Sequence, residues 1–165
     1  TPGYTLIADQ ADGLSLWKAL TEADAVPLGE KAWEQLRICQ GRPMPGTELT
    51  EDYNPLEAGL WQMVSFNKGC YIGQETIARL NTYNGVKQKL WGLTLEGFNE
   101  PGTLIYLEDQ KIGLLTSVVE TQNGCFGLGY IKTKAGGAGL TVRVGEGSAT
   151  VVDVPFLCHS LEPAA

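Results

Sequence analysis

The sequence has 165 residues, 43% hydrophobic and 19% charged, with a net charge of −7. That length gives one ordinary domain or two small ones with a real core, and the apolar content excludes disorder. No apolar run nears the ~18 residues of a membrane span, and no basic tract suits a nucleic-acid backbone. With 21 glycines, against an average usage of roughly 7%, many tight turns and a β-rich architecture are expected.

The opening Thr1-Pro2-Gly3-Tyr4 carries neither an initiator Met nor a targeting pattern and reads as the interior of a longer chain. Residues 4–8 are predicted to form a short strand. Asp12 is placed to cap a helix whose apolar face is Leu14, Trp17 and Leu20. Pro27 and Gly29 break that pattern. A second helix, 30–40, presents Ala32, Trp33, Leu36 and Cys39 on one side and stops at Gly41. A strand and helix without an earlier partner strand leave a sheet edge uncovered, which again points to the C-terminal part of a longer protein. Residues 41–60 hold three prolines and three glycines and read as ordered loop, with Pro55 opening a short helix through Leu60. Residues 61–66 read as extended, 68–73 as a glycine-bounded turn, and 74–80 as a helix with Glu75 in its first turn, where the dipole favours an acid. Near Lys87 the character changes. Residues 90–95, 103–107, 111–119, 125–131, 140–144 and 149–154 are strand-like runs separated by turn signals, the pattern of a small antiparallel barrel.

Charge is uneven along the chain. Residues 1–60 carry ten acidic and four basic side chains, whereas between Phe66 and Leu90 Lys68, Arg79, Lys87 and Lys89 stand against Glu75 alone. That stretch would draw an anionic small molecule. Cys39, Cys70, Cys125 and Cys158 form no C-x-x-C, and the one histidine, His159, lies at the far end, so no metal site is expected. Sparse cysteines without a signal peptide read as free thiols of a reducing compartment, cytoplasmic or organellar and not secreted.

The densest cluster is Lys68-Gly69-Cys70-Tyr71-Ile72-Gly73-Gln74-Glu75. An ammonium before the cysteine and backbone N–H groups after it both favour the thiolate, the nucleophilic and ligating form. On spacing alone Cys70 is either such a thiol or a small buried filler. Trp33 is either core or an indole plate for a flat heterocycle. Arg37, one turn on, is either solvated or a guanidinium on the same side. Glu57 is either a cap for the 55–60 helix or a functional carboxylate. With no histidine before His159, a Ser–His or Cys–His nucleophile would have to use that residue, and no acid–base pair is visible. Cys125 and Cys158, in or beside barrel strands, read as core filling.

Taken together these segments resemble a known family. Residues 68–75 match the signature loop of the YgfZ proteins, folate-binding relatives of the glycine-cleavage T-protein (aminomethyltransferase). Trp33, Leu36-Arg37 and Gly41-Arg42-Pro43 resemble the family's W…L-R-x-x-x-G-x-P segment. Thr50-Glu51-Asp52 and residues 55–60 resemble its next stretch. Residues 113–117, Leu128-Gly129-Tyr130 and Pro155-Phe156 resemble the C-terminal barrel shared with T-proteins. The resemblance covers nearly the whole chain.

It implies an α+β fold, the C-terminal part of a three-lobed cloverleaf around a folate channel. Residues 1–40 would end a ferredoxin-like folate-binding lobe, 41–87 would be a return segment with the signature, and 88–165 the barrel. T-proteins typically carry K-G-D-F-I-G in this loop and transfer a one-carbon unit to tetrahydrofolate. The cysteine version resembles the YgfZ branch, tied to assembly or repair of iron–sulfur clusters in client enzymes such as tRNA-modifying enzymes. The resemblance therefore implies tetrahydrofolate as cofactor and iron–sulfur proteins as partners, with no nucleic acid or membrane bound directly. It assigns reactivity to Cys70 and Lys68 and folate binding to Trp33, Arg37 and Glu57. A folate-dependent aminomethyltransferase is the alternative. The family segment also carries a glutamate where Cys39 stands here, and a thiol is a poor acceptor for pterin N–H groups.

Overall fold

The computed structural model describes residues 3–83 and 85–160 and divides into two units, Thr1–Trp33 and Glu34–Ala165. In the first, α1 (Gly13–Glu22) follows a 3₁₀ turn, Gln10–Asp12. The strand predicted at 4–8 does not form. A lone strand finds no ladder partner in this unit, so water takes its backbone groups. Helix α1 has the predicted apolar stripe, yet Leu14 and Trp17 remain more than half exposed. Asp12 does not cap it through its side chain, because its own backbone is already helical (φ −90°, ψ −7°), outside the extended geometry a cap requires. Ser15 Oγ instead donates to the Asp12 carbonyl at 2.8 Å.

Helix α2 (Glu30–Gln40) has the bounds expected of it. Its buried face differs from the one predicted. In the second unit Arg37 and Ile38 are buried while Leu36 is 51% exposed. Ile38 packs into a cluster with Ala58, Leu90, Leu128 and Tyr130, and that contact sets the rotation of the last helical turn. Gly41, at φ +76°, ends the helix, and a Cβ there would run into the Val154 side chain.

Residues 41–60 are loop and turns, including 55–60, where a short helix was expected. Trp61–Met63 is a 3₁₀ turn, not extended chain. The cause is the Trp61 indole, whose N–H donates to the Leu56 carbonyl at 3.1 Å. This folds the chain back so that Trp61 is buried with Leu56, Ile77 and Val86. Helix α3 (Gln74–Thr82) follows, with Ile77 as its buried anchor.

The six predicted strand runs correspond to β1 (Gln88–Leu95), β2 (Leu104–Leu107), β3 (Gln110–Thr121), β4 (Gly124–Lys132), β5 (Thr141–Val144) and β6 (Gly147–Val152). They close an antiparallel barrel in the order β1-β4-β3-β2-β5-β6, β6 pairing back to β1. Closure removes the exposed edges that an open sheet would have to protect. Leu93, Ile105, Leu115, Ile131, Val144 and Val151 fill the interior. Glycine is required where walls approach: a Cβ on Gly129 would lie 2.8 Å from the Leu114 carbonyl and 2.9 Å from Leu93 Cδ1. Strand β3 is bulged between Leu115 and Ser117, which makes Thr116 the extra residue.

Candidate functional site

The signature loop leads into α3 through Gly73. Its φ of +88° puts it in the left-handed region, and no heavy atom lies within 4 Å of where a Cβ would sit. The glycine is thus there for conformation, not for space. Gln74 Oε1 accepts from the Tyr71 amide at 3.1 Å, and the amides of Thr76 and Ile77 donate to the Gly73 carbonyl. The turn is braced on both sides of residue 73. Cys70 and Gly69, ahead of it, are exposed. Lys68 extends its ammonium over the Tyr71 ring, 5.1 Å from the centroid. Ser65, Phe66, Lys68, Tyr71, Gln74, Glu75 and Ala78 line a cavity of about 260 Å³ against α3. Cys70 is on the loop beside this lining rather than within it.

Cys70 is the exposed thiol of the four. Cys39, Cys125 and Cys158 are all partly buried. Burial pushes the Cys39 thiol up, Cys125 packs against the barrel core, and the Cys158 thiol donates to the Ser160 carbonyl at 2.8 Å.

Arg37 and Glu57 are committed to the frame. A guanidinium has five N–H donors, and each of Arg37's has a partner inside the protein. Nε and Nη2 donate to Glu34, Nη1 to the Arg42 carbonyl and Glu48 Oε2, and the second Nη2 proton to Ser117 Oγ. None is left for a ligand. Glu57 is buried and its Oε2 accepts from the Asn54 amide at 3.1 Å, while Asn54 Oδ1 accepts from the amides of Leu56 and Glu57. That reciprocal arrangement is a capping box. Trp33, in the N-terminal unit, is 50% exposed.

Sequence reasoning missed the residue at the centre of the frame, Glu48. Its side chain is fully buried and its carboxylate joins three segments. Oε2 pairs with Arg37 at 3.0 Å and accepts from the Met44 amide and Thr47 Oγ1. Oε1 accepts from Ser117 Oγ at 2.6 Å and Thr116 Oγ1 at 2.7 Å. The bulge in β3 is what brings two successive hydroxyls to one oxygen. Burial alone would raise the Glu48 pKa, but the hydrogen bonds from Ser117, Thr47, Thr116 and Met44 outweigh it and hold the carboxyl below its ordinary range. Its backbone carbonyl accepts from Tyr130 Oη at 2.9 Å. A glutamate in a polar loop gives no pattern for burial; the Thr116-Ser117 pair amid apolar β3 was the one available hint.

No protein-family model matches the chain. A chloroplastic protein of Arabidopsis thaliana, described in its name as a transferase, is 51% identical over 166 residues, covering 99% of this chain and 38% of that protein. Aminomethyltransferases of Synechococcus elongatus and Rubrobacter xylanophilus are each 32% identical, over 93% of this chain and 44% and 43% of their own lengths. The chain is homologous to aminomethyltransferase-type proteins. It spans less than half the length of these relatives. The glycine cleavage system aminomethyltransferase T of Bartonella henselae superposes with a TM-score of 0.76 at 21% identity, over 91% of this chain and 45% of that one. The α+β fold with its closed barrel is therefore that of a T-protein-like portion, as the sequence implied. Among the described residues no helix is long and apolar enough to cross a membrane.

Proposed function

We propose that this chain belongs to a tetrahydrofolate-binding, YgfZ-type accessory protein that supports assembly or repair of iron–sulfur clusters in client enzymes. The observation that carries this reading is Cys70: a thiol held in the open, on a loop braced by Gly73 and Gln74, where the T-proteins it resembles typically carry an aspartate. An exposed thiol can react with or ligate a partner's atoms, which a buried filler cannot. Lys68, two residues earlier, rests its ammonium on the Tyr71 ring, and Gly73 in the left-handed region shapes the loop. The chloroplastic relative favours an organellar setting.

The signature-loop cavity offers the contacts that the edge of a folate ring needs. Phe66 and Tyr71 offer aromatic walls, and Glu75 and the Gln74 amide offer an acceptor and a donor of the kind a heterocycle edge needs. At about 260 Å³ it lies below the roughly 300–1,000 Å³ of sites that enclose a whole ligand of drug size, so these residues would hold part of the molecule. Trp33, half exposed in the N-terminal unit, is assigned to folate by the resemblance alone. Tetrahydrofolate would supply a one-carbon carrier or a reduced pterin; the chain's part is to bind and orient it. Arg37, whose five N–H donors are used internally, and Glu57, whose Oε2 caps the 54–57 turn, keep the supporting segments in place.

The second reading, a folate-dependent aminomethyltransferase, is favoured by the aminomethyltransferases among the relatives. One experiment separates the two. The full-length protein containing this chain is titrated with tetrahydrofolate, then mixed with a lipoyl-bound aminomethyl donor. The accessory reading expects quenching of tryptophan fluorescence without turnover, and loss of client iron–sulfur activity in cells carrying Cys70→Ser. Sustained release of methylenetetrahydrofolate would establish the transferase instead.

A further inference from the structure

A second cavity, sharing no residue with the signature-loop cavity, lies where the 3₁₀ turn, the end of α3, the start of β1 and the chain after β6 meet. Its volume is about 360 Å³, and Trp61, Asn81, Val86, Lys89, Thr133, His159 and Ser160 line it. The chemistry of the wall is lopsided. Trp61 and Val86 are buried, and the Trp61 indole N–H is already spent on Leu56, so this side is purely apolar. Lys89 supplies the one formal charge among the lining residues. It makes no ion pair among the described residues, and its only polar contact there is a long one, 3.4 Å, to the His159 carbonyl.

The opposite wall holds a polar atom with nothing to do. His159 Nδ1 is buried and has no hydrogen-bond partner among the described residues, a state that costs about 1–3 kcal/mol. Its ring is fixed against Trp91, with centroids 4.1 Å apart, so it cannot swing out to water without losing that contact. The imidazole is neutral, since burial first and Lys89 second push its pKa down to about 4 against a smaller upward pull from Asp153. Asn81 and Ser160 add an amide and a hydroxyl at the rim.

We propose that this cavity is a binding site for a small organic monoanion, a carboxylate attached to a flat apolar body. The carboxylate would pair with the Lys89 ammonium and the body would lie on Trp61 and Val86. An ammonium carried into a half-enclosed site with no ion-pair partner among the described residues favours an anion over its neutral isostere, and the apolar floor favours a ring over a bare ion. The site goes beyond the proposed function, which rests on the signature loop.

The test uses the 165-residue chain and two probes of one shape, benzoate and benzamide. The protein has a single histidine, so its imidazole resonances report this wall without assignment ambiguity. Benzoate is expected to shift them saturably, with benzamide weaker by about tenfold or more, equivalent to ~1.4 kcal/mol. Lys89→Gln is expected to abolish that preference while leaving the far-ultraviolet spectrum unchanged. Equal binding of the two probes, no saturable shift with either, or an undiminished preference in Lys89→Gln would overturn the proposal. The wild-type comparison of the two probes decides the matter even if the variant folds poorly.

Discussion

The buried carboxylate of Glu48 gives the sharpest prediction. Substituting Glu48→Gln keeps the shape but removes the charge opposite Arg37, whose side chain is itself only 4% exposed. It also turns one of the two accepting oxygens into a donor, against Ser117, Thr116, Thr47 or the Met44 amide, all of which now donate. Breaking a buried pair from one side costs about 3–5 kcal/mol. Glu34 still holds Arg37 from the exposed side at 2.8 Å, so the lower end, about 3 kcal/mol, is expected. That is a large fraction of the roughly 5–15 kcal/mol typical of a domain. Urea unfolding followed by tryptophan fluorescence reads it directly. Removing both partners, Arg37→Met with Glu48→Leu, should cost clearly less than the sum of the single changes, since neither charge is left stranded. The same carboxylate predicts acid behaviour. Its native pKa lies below its unfolded value, so its stabilisation is complete above about pH 4.3 and is lost as pH falls through the native pKa; Glu48→Gln should remove that part of the acid limb. Strict additivity in the double variant, or a Glu48→Gln cost under ~0.5 kcal/mol, would refute the reasoning.

Other predictions are equally direct. Cys70 should alkylate with iodoacetamide faster than Cys39, Cys125 and Cys158 near neutral pH, as peptide mapping of a time course would show; equal labelling would contradict its exposure. Gly129→Ala should destabilise by about 1–3 kcal/mol, because the added methyl meets the Leu114 carbonyl at 2.8 Å; an unchanged thermal midpoint would mean the strands can separate at no cost. His159, with its pKa depressed to about 4 mainly by burial, imposes no protonation penalty on the fold above its unfolded pKa of about 6.5. Stability then falls as pH drops from there to the native value, because the unfolded imidazole binds a proton that the native one refuses; a titration of the single imidazole by NMR checks the native pKa, and urea unfolding at pH 7 and pH 4.5 checks the loss.

The barrel was legible in the sequence because its code is local. Alternation such as Leu90-Trp91-Gly92-Leu93-Thr94-Leu95 carries the pleat's period, and Asn123-Gly124 or Gly145-Glu146-Gly147 mark the turns. Helix α3 and the Gly73 hinge were legible for the same reason. What failed depended on partners distant in the chain. The face of α2 was predicted from its apolar spacing, yet Arg37 is buried because Glu48 and Ser117, 11 and 80 residues on, complete its hydrogen bonds. The strand at 4–8 failed because propensity without a partner does not make a ladder. The 3₁₀ turn at 61–63 was missed because nothing in Trp61's local pattern announces that its N–H will find the Leu56 carbonyl.

This division bears on the site itself. The signature loop is written in contiguous residues, and its exposure follows from a glycine conformation fixed locally. The roles implied for Arg37 and Glu57 were inferred from position in a motif; in the structure every Arg37 N–H is engaged by neighbours, and Glu57 Oε2 accepts from the Asn54 amide. A motif can therefore hold together for two physical reasons at once. Cys70, Lys68 and the glycines present chemistry outward, while Arg37, Glu48 and Glu57 fasten the segments that carry the loop to the outside of the barrel. A substitution in the second group should lower stability first and function only as a consequence, whereas Cys70→Ser should do the reverse. Measuring both quantities on the same two variants, Glu48→Gln and Cys70→Ser, separates fastening from chemistry; if Cys70→Ser unfolds the chain while Glu48→Gln leaves it intact, the assignment of the two groups is inverted.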